Sequence, residues 1–372
     1  MDSSSMTQQT PRKHRFPRTA LVFYGIALLS AILYIIFLFS EGFADWFNQT
    51  VGAAIRAILA HLTSWIPFSF AEYLLLMIPV IFAALVVVGL RRYADTWRSV
   101  LIYCASILSV AALIFSVFAM GFAPAYRGTT LDRKLGIQRR EVSAQELYET
   151  AVILAGEMNR ESEQIRYSDS TRFSVMPYGY GEMNDLLLDA YDTACDKYPF
   201  VQRLRSRVKP VMLSDAMSYT HITGVYSFFT GEANLNVAFP DYTLPYTAAH
   251  ELAHQRGVAR EDEANFMAFL VCLESEDAYI RYSGYLNLYE YVLSALYSAS
   301  PELYVRARLA AGGEIQGELV AYSDFFEKYE KSVASEVSGA VNNTFLTLHG
   351  TEGTKSYGMV VDLAVAYYLP LS

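Results

Sequence analysis

The sequence predicts an α+β fold, mainly α, with three N-terminal transmembrane helices followed by a second, acidic domain. Three observations support this. The chain is 53% hydrophobic and 18% charged, whereas typical soluble domains contain about 25% charged residues. Long uncharged apolar runs occur only in the first 122 residues, and apolar residues at helical spacing dominate the rest. The length of 372 residues leaves room for a membrane part and one further domain.

Three apolar runs without charge each approach or reach the length of about 20 residues that a helix needs to cross the bilayer core. They cover residues 20–39, 73–90 and 100–122. The first run is too long for the core of a signal peptide, and no A-x-A cleavage pattern follows it. We therefore predict a retained anchor. The predicted units are a cytoplasmic basic N-terminus (1–19), a membrane domain (20–122) and a second domain (123–372).

Positive charges flank these runs on two sides. The cations are Arg12, Lys13, Arg15 and Arg18 before the first run, and Arg91, Arg92 and Arg98 between the second and third. Because Lys and Arg accumulate in cytoplasmic segments, the loop 40–72 and everything after Phe122 are expected outside the cytoplasm. The sequence thus predicts a multi-pass protein of the cell membrane, with the lipid bilayer as a partner and an extracytoplasmic second domain.

The loop after the first run has apolar residues at helical spacing from 51 to 66. We interpret this stripe as a helix that lies in the membrane interface or packs against the spans. If residues 51–70 crossed the bilayer instead, the topology would invert. Arg56 and His61 make such a crossing costly.

The charge of the second domain argues against nucleic acid as a partner. Residues 1–122 hold eight Lys/Arg and five Asp/Glu, and residues 123–372 hold 21 and 33. No cluster of cations offers a surface for phosphate backbones. The three cysteines form no CxxC pair, and a bond between Cys195 and Cys272 stays open.

Apolar periodicity predicts the elements of the second domain. The predicted strands are 173–178 and 225–239, of which 232–239 is interpreted as an edge strand for an extended peptide or as an ordinary strand. The predicted helices are 142–159, 182–207, 243–256, 262–283, 286–298, 301–310, 315–333 and 355–368.

A HExxH motif, His250 to His254, lies in the predicted helix 243–256. Residues four apart on a helix are about 40° apart around its axis, so both imidazoles can bind one metal ion. Glu251 lies beside them, in position to polarise a metal-bound water rather than to bind the metal. We therefore predict Zn²⁺ bound by His250 and His254, with Glu251 as the catalytic base. The alternative is a helix whose two histidines are only packed or solvated.

A catalytic zinc ion needs three protein ligands and one open position. Gly257 can end the helix, and the next helix opens with Glu261-Asp262-Glu263, so either glutamate could reach the metal. Arg260 occupies the third-ligand position of the HxxGxxH frame of metzincins, and a guanidinium cannot bind zinc.

HExxH followed by E-x-x-A-N resembles the glutamate-zincins (gluzincins), which include membrane-embedded prenyl-protease-like and antibiotic-sensor peptidases. The resemblance implies a zincin-like metallopeptidase domain with Glu261 as third ligand and Asn265 supporting a ligand histidine. Two departures stand out: the gap between His254 and Glu261 is short, and Asn265 stands where Asp is usual.

The whole string HELAHQRG and EDEANFMAFL after three N-terminal spans is more similar to a bacterial membrane-protein family known only as a domain of unknown function. That resemblance covers most of the chain, including 224–236 and Ser356-Tyr357-Gly358. It implies a fold and a zinc site, and no substrate.

These patterns predict a membrane-anchored zinc metallopeptidase that hydrolyses a peptide or protein substrate. His221, Tyr226 and Tyr246 are candidate hydrogen-bond donors to the oxyanion, and each also fits a structural role. The alternatives are a non-catalytic, metal-stabilised sensor or scaffold, and a lipid- or wall-modifying hydrolase that uses the same zinc.

Overall fold

The computed structural model describes residues 14–330 and 332–370, so that Arg12 and Lys13 lie outside the described residues. The described chain is mainly helical, with one small three-stranded sheet. The N-terminal part contains α1 (Arg18–Phe39), α2 (Glu41–Phe47), a π-helical turn (Asn48–Gly52), α3 (Ala53–Thr63), α4 (Phe70–Arg92) and α5 (Trp97–Gly121).

Helices α1, α4 and α5 are each long and apolar enough to cross a membrane. Their bounds agree with those of the three predicted spans to within three residues. The hydroxyl oxygens of Ser69 and Thr96 cap α4 and α5 at their N-termini. Helix α1 packs along α5, where the Tyr24 hydroxyl donates to the Ala105 carbonyl at 2.7 Å.

The second part of the described chain contains twelve α-helices, a 3-10 turn, a small sheet and a packed core. The helices are α6 (Ala123–Arg127), α7 (Leu131–Leu135), α8 (Ala144–Ser162), α9 (Tyr180–Lys197), α10 (Ser214–Ser218), α11 (Thr243–Gln255), α12 (Glu261–Leu273), α13 (Ala278–Ala299), α14 (Pro301–Ala310), α15 (Gly313–Glu327), α16 (Val333–Leu348), a 3-10 turn (Gly353–Met359) and α17 (Val360–Tyr368). The core lies among α8, α11, α12, α13 and α17, which share one cluster of buried apolar side chains.

The sheet differs from both strand predictions. Its strands are β1 (Lys209–Pro210), β2 (Gly224–Ser227) and β3 (Glu232–Leu235), in the order β1-β3-β2. The prediction of one strand over 225–239 is wrong because the chain turns at Gly231, which has a φ of +73°, and pairs with itself. Strand β3 is therefore central, and the predicted edge strand at 232–239 is wrong; β2 is an edge. Of 173–178, only Ser174 forms a bridge, with Tyr167.

Three helix predictions also needed correction. The helix predicted over 182–207 ends at Lys197, where Pro199 disfavours the helical conformation of Tyr198. The break predicted at 284–285 lies earlier, because Asp277 caps α13 by accepting from the Ile280 N–H. Gly284 lies inside α13, where a Cβ would come within 2.5 Å of Cys272 Cβ, so that the glycine permits close packing with α12. Helix α16 was not predicted.

Candidate metal centre

Helix α11 carries His250, Glu251 and His254 on a buried face. It ends at Gln255, and Gly257 in the turn that follows has a φ of +90°, which favours glycine. The amide of Val258 folds back to the Ala253 carbonyl, closing the turn. A Cβ at Gly257 would also come within 2.5 Å of the Arg56 guanidinium, so that no other residue fits without strain. The turn directs the chain into α12, which begins with Glu261.

Three ligand atoms converge where α11 meets α12. Nε2 of His250 and Nε2 of His254 are 3.0 Å apart. Oε2 of Glu261 lies 3.2 Å from the first nitrogen and 3.4 Å from the second. All three residues are buried, and they form a group that could hold a metal ion. The structure therefore brings together the three residues that the sequence predicted as ligands.

The turn after α11 also orients His254. Its Nδ1 lies 2.8 Å from the Val258 carbonyl oxygen, which can only accept a hydrogen bond. A proton on Nδ1 leaves the lone pair of Nε2 directed at the cluster, and such outer hydrogen bonds fix the tautomer of ligand histidines. Burial lowers the pKa of His250, and the nearby Asn265 side chain opposes this shift only in part. Nδ1 of His250 has no hydrogen-bonded partner among the described residues. Support of a ligand histidine by Asn265 stays a prediction.

Glu251 lies beside the cluster, under strand β2. A Cβ on Gly224 would be 2.6 Å from both Cγ and Oε1 of Glu251, so that only glycine lets the strand pass this close. The other carboxylate oxygen, Oε2, is buried and has no hydrogen-bonded partner among the residues described. This atom is available to a molecule that enters the centre.

Burial and mutual charge set the protonation of the cluster. Burial raises the pKa of Glu251 to about 8. Burial acts against charge on Glu261 too, but the two histidines outweigh it and hold the pKa of Glu261 below its usual range. Burial would lower the pKa of His254, but the Glu261 carboxylate raises it to about 9. Without metal, the cluster is therefore a buried ion pair of His254 and Glu261, and a cation would take the place of the proton.

The rival ligand, Glu263, points elsewhere. Its Oε1 accepts from the Leu131 amide at 2.9 Å and from the Arg260 guanidinium at 3.0 Å. Arg260 also donates to the carbonyls of Tyr126 and Gly128, away from the cluster. Both side chains thus tie α12 to the segment that follows α5.

The three candidate oxyanion donors lie in different surroundings. His221 is 2.7 Å from the Tyr329 carbonyl, and the Tyr246 hydroxyl donates to the Asn265 carbonyl. The hydroxyl of Tyr226 is buried without a partner in the described part of the chain. Its ring lies 5.2 Å from that of Phe122, which is 6.0 Å from the His254 ring. Tyr226 is thus the candidate with a hydroxyl still free to donate.

Sequence reasoning missed Arg56, a buried cation from α3. Its guanidinium donates to Oδ1 and the carbonyl of Asn48, to the Gly121 carbonyl and to the side chain of Gln202, over 2.7 to 3.2 Å. Asn48 in turn donates to the Gly257 carbonyl at 3.0 Å. The sequence signal for this buried role was an arginine within the apolar stripe 51–66. The sequence analysis used that arginine only as an argument against a membrane crossing by this segment. The loop 40–69 is therefore packed against the candidate metal centre.

Comparison with known proteins identifies the family of this chain. No curated protein and no solved structure gives a significant match. Residues 47–365 match the family described as "Protein of unknown function (DUF3810)". This stretch includes α3 with Arg56, the candidate spans α4 and α5, and the candidate metal centre. The chain therefore belongs to the DUF3810 family.

Proposed function

We propose that this protein is a membrane-anchored zinc metallopeptidase. The observation that carries the proposal is the convergence of His250, His254 and Glu261 beside Glu251, whose Oε2 has no partner among the described residues. Three ligand residues with a carboxylate next to them are what metal-assisted hydrolysis requires.

The ligand set and spacing fit zinc. Two imidazole nitrogens and one carboxylate oxygen are ligands that zinc binds at about 2.0–2.2 Å, which corresponds to about 3.3 Å between ligand atoms of a tetrahedral site. The observed separations are 3.0, 3.2 and 3.4 Å. Three protein ligands leave one position open, as catalytic sites do and closed structural sites do not.

Glu251 would transfer the proton. Bound zinc supplies Lewis-acid activation of water and of the scissile carbonyl. In its ionised form, which a bound cation would favour against the burial that raises its pKa, Glu251 accepts a proton from the attacking water as the water oxygen bonds to the carbonyl carbon. It then returns that proton to the amine nitrogen as the C–N bond breaks. In this proposal the Tyr226 hydroxyl, which is buried without a partner among the described residues, would donate a hydrogen bond to the carbonyl oxygen as charge develops there.

The substrate in this proposal is a peptide or protein outside the cytoplasm. Cations at the start of α1 and between α4 and α5 favour the orientation with the second part outside. Strand β2 is an edge strand and touches Glu251 through Gly224, so that an extended peptide added there would pass the proposed base.

Purified protein tests the proposal through metal content and a trapped substrate. We expect one zinc per chain in the wild type and in Glu251→Gln, and loss of stoichiometric zinc in His250→Ala and His254→Ala. We also expect Glu251→Gln to retain a peptide or protein that the wild type cleaves, because binding survives while proton transfer is lost. Zinc in both histidine variants together with a metal-free Glu251→Gln protein would overturn the proposal.

The second candidate function is a non-catalytic, metal-stabilised sensor or scaffold. The observation that favours it is the contact between the His254 ring and Phe122, the residue after α5. A metal ion bound by His254 could change the position of Phe122 and, through it, that of α5. If Glu251→Gln supports growth of a deletion strain as well as the wild type, the sensor is favoured over hydrolysis.

A further inference from the structure

Helix α16 exposes most of its large apolar side chains and turns mostly polar side chains toward the protein. Its most exposed large side chains are Val333, Val337, Val341 and Leu348, which are 77%, 59%, 66% and 71% exposed. At 3.6 residues per turn, these four residues form one stripe. We call these four residues the outer stripe. Thr344 is an exposed polar residue on the same face, and Glu336 and Asn343 are exposed on one flank of the stripe.

The opposite side of α16 faces the protein and is largely polar. Its partly or fully buried residues are Ser335, Ser338, Asn342, Phe345, Leu346 and, just after the helix, His349. A helix on a water-exposed surface normally buries its apolar face and exposes its polar face. The reversed arrangement means that the outer stripe is not built to face water.

The C-terminal end of α16 is attached to a candidate membrane span. The ring of Phe118, in the last turn of α5, lies 6.0 Å from the ring of Phe345 and 4.9 Å from that of His349. This end of α16 is therefore at the depth where α5 reaches the membrane surface. The apolar surfaces of α1, α4 and α5 are exposed in the same way as the outer stripe.

We propose that the outer stripe of α16 lies in the lipid of the membrane that α5 crosses. Its 16 residues span about 24 Å, less than the hydrocarbon core of about 30 Å, so the helix lies along the interface and does not cross. The occupant of the stripe is the acyl-chain region, because the helix is already anchored beside a span. The inference does not depend on the proposed enzymatic activity.

Single labelled cysteines in the full-length protein test this placement. Cys104→Ala removes the exposed cysteine, while Cys195 and Cys272 are buried. Val337→Cys and Val341→Cys would carry an environment-sensitive fluorophore in phosphatidylcholine vesicles with nitroxide-bearing acyl chains. The matched control is Val305→Cys, a valine 54% exposed on α14, a helix that packs on α8 and α13.

We expect the lipid nitroxide to quench both α16 labels several-fold more than the label at residue 305, and aqueous iodide to show the reverse order. Iodide quenching of the α16 labels equal to that at 305 would overturn the proposal, because the stripe would face water. Protection from both quenchers would also overturn it, because a second copy or a protein partner would then cover the stripe.

Discussion

Two glycines control how closely the backbone approaches the candidate centre. Gly224 lets strand β2 pass over Glu251, and Gly257 makes the turn that returns the Val258 carbonyl to His254. The spacing of the HExxH motif was enough to predict that the two histidines share one face of a helix, but neither glycine is part of that motif. The contacts of α11 with β2 and α3 could not be predicted from the motif, because they join segments that are distant in the sequence.

Substitution of Gly224 tests the position of Glu251. In Gly224→Ala, the new Cβ would lie 2.6 Å from Glu251 Oε1, so the carboxylate must move while the ligand residues stay in place. We expect zinc content to be kept and peptide hydrolysis to fall about 100-fold, the scale of a misplaced catalytic group. The control is Gly156→Ala, where a Cβ meets nothing within 4 Å. Equal activity in the two variants would contradict this role of Gly224.

The third ligand is tested by comparing Glu261 with Glu263. We expect Glu261→Ala to weaken zinc binding by more than the about 10–100-fold that loss of an outer hydrogen bond causes, because a donor atom is lost. Glu263→Ala removes only its bonds to Leu131 and Arg260, so it should lower thermal stability and keep the metal. Competition with a chelator measures both affinities. The reverse order would transfer the ligand role to Glu263.

At the scale of elements, local patterns predicted helices better than strands. The three spans and α11 follow from long apolar runs and from helical periodicity, which depend on neighbouring residues alone. Strand β1 was missed because it has only two residues and pairs with β3 across more than twenty residues of chain. Helix α16 has its apolar residues on the outside, so a search for core-facing stripes passes over it. The side of α16 that is proposed to meet lipid follows from the contacts of its C-terminal end with α5, which the local sequence does not show.

The sheet and the second span are joined by a buried carboxylate. Glu232 in β3 accepts from the first amides of α4, Phe70 and Ala71, at 3.1 and 2.9 Å, and lies 2.6 Å from Lys209 Nζ. A carboxylate at a helix N-terminus accepts hydrogen bonds from the free backbone amides of the first turn, and its negative charge interacts favourably with the helix dipole.

Neutralising the Glu232 carboxylate should therefore destabilise the folded protein. Glu232→Gln leaves Lys209 buried without its counter-charge, and we expect it to lower the free energy of unfolding by about 3–5 kcal/mol. The comparison is Glu41→Gln, which removes the exposed pair with Arg133 and should change stability by less than about 1 kcal/mol. Denaturant titration in detergent measures both. A Glu232→Gln protein as stable as Glu41→Gln would contradict the capping role.

At the scale of the whole molecule, the candidate centre lies where the membrane part meets the rest of the chain. Phe122 follows α5 directly and touches Tyr226 and His254, and Arg56 binds the carbonyl of Gly121. The proposed substrate would therefore be cleaved close to the membrane surface.

A topology experiment tests the proposed orientation. A reporter enzyme that is active only outside the cytoplasm, fused at the C-terminus, is expected to be active, because arginines before α1 and between α4 and α5 favour a cytoplasmic location of those two segments. The same reporter inserted between α4 and α5 should be inactive. Activity at the loop between α4 and α5 and none at the C-terminus would favour the alternative in which residues 51–70 cross the bilayer.

The bonds of Arg56 also constrain biogenesis. Arg56 and its partner Gln202 are separated by 146 residues, which takes about 7 to 30 s to synthesise at about 5–20 residues per second. During that interval the guanidinium has only Asn48 and, once α5 is made, the Gly121 carbonyl as partners, and the turn at Gly257 does not yet exist. The centre is thus completed late in translation, after the first loop and all three spans have been made. A fragment limited to residues 123–372 lacks both Asn48 and Arg56, the side chains that hold the Gly257 turn from outside.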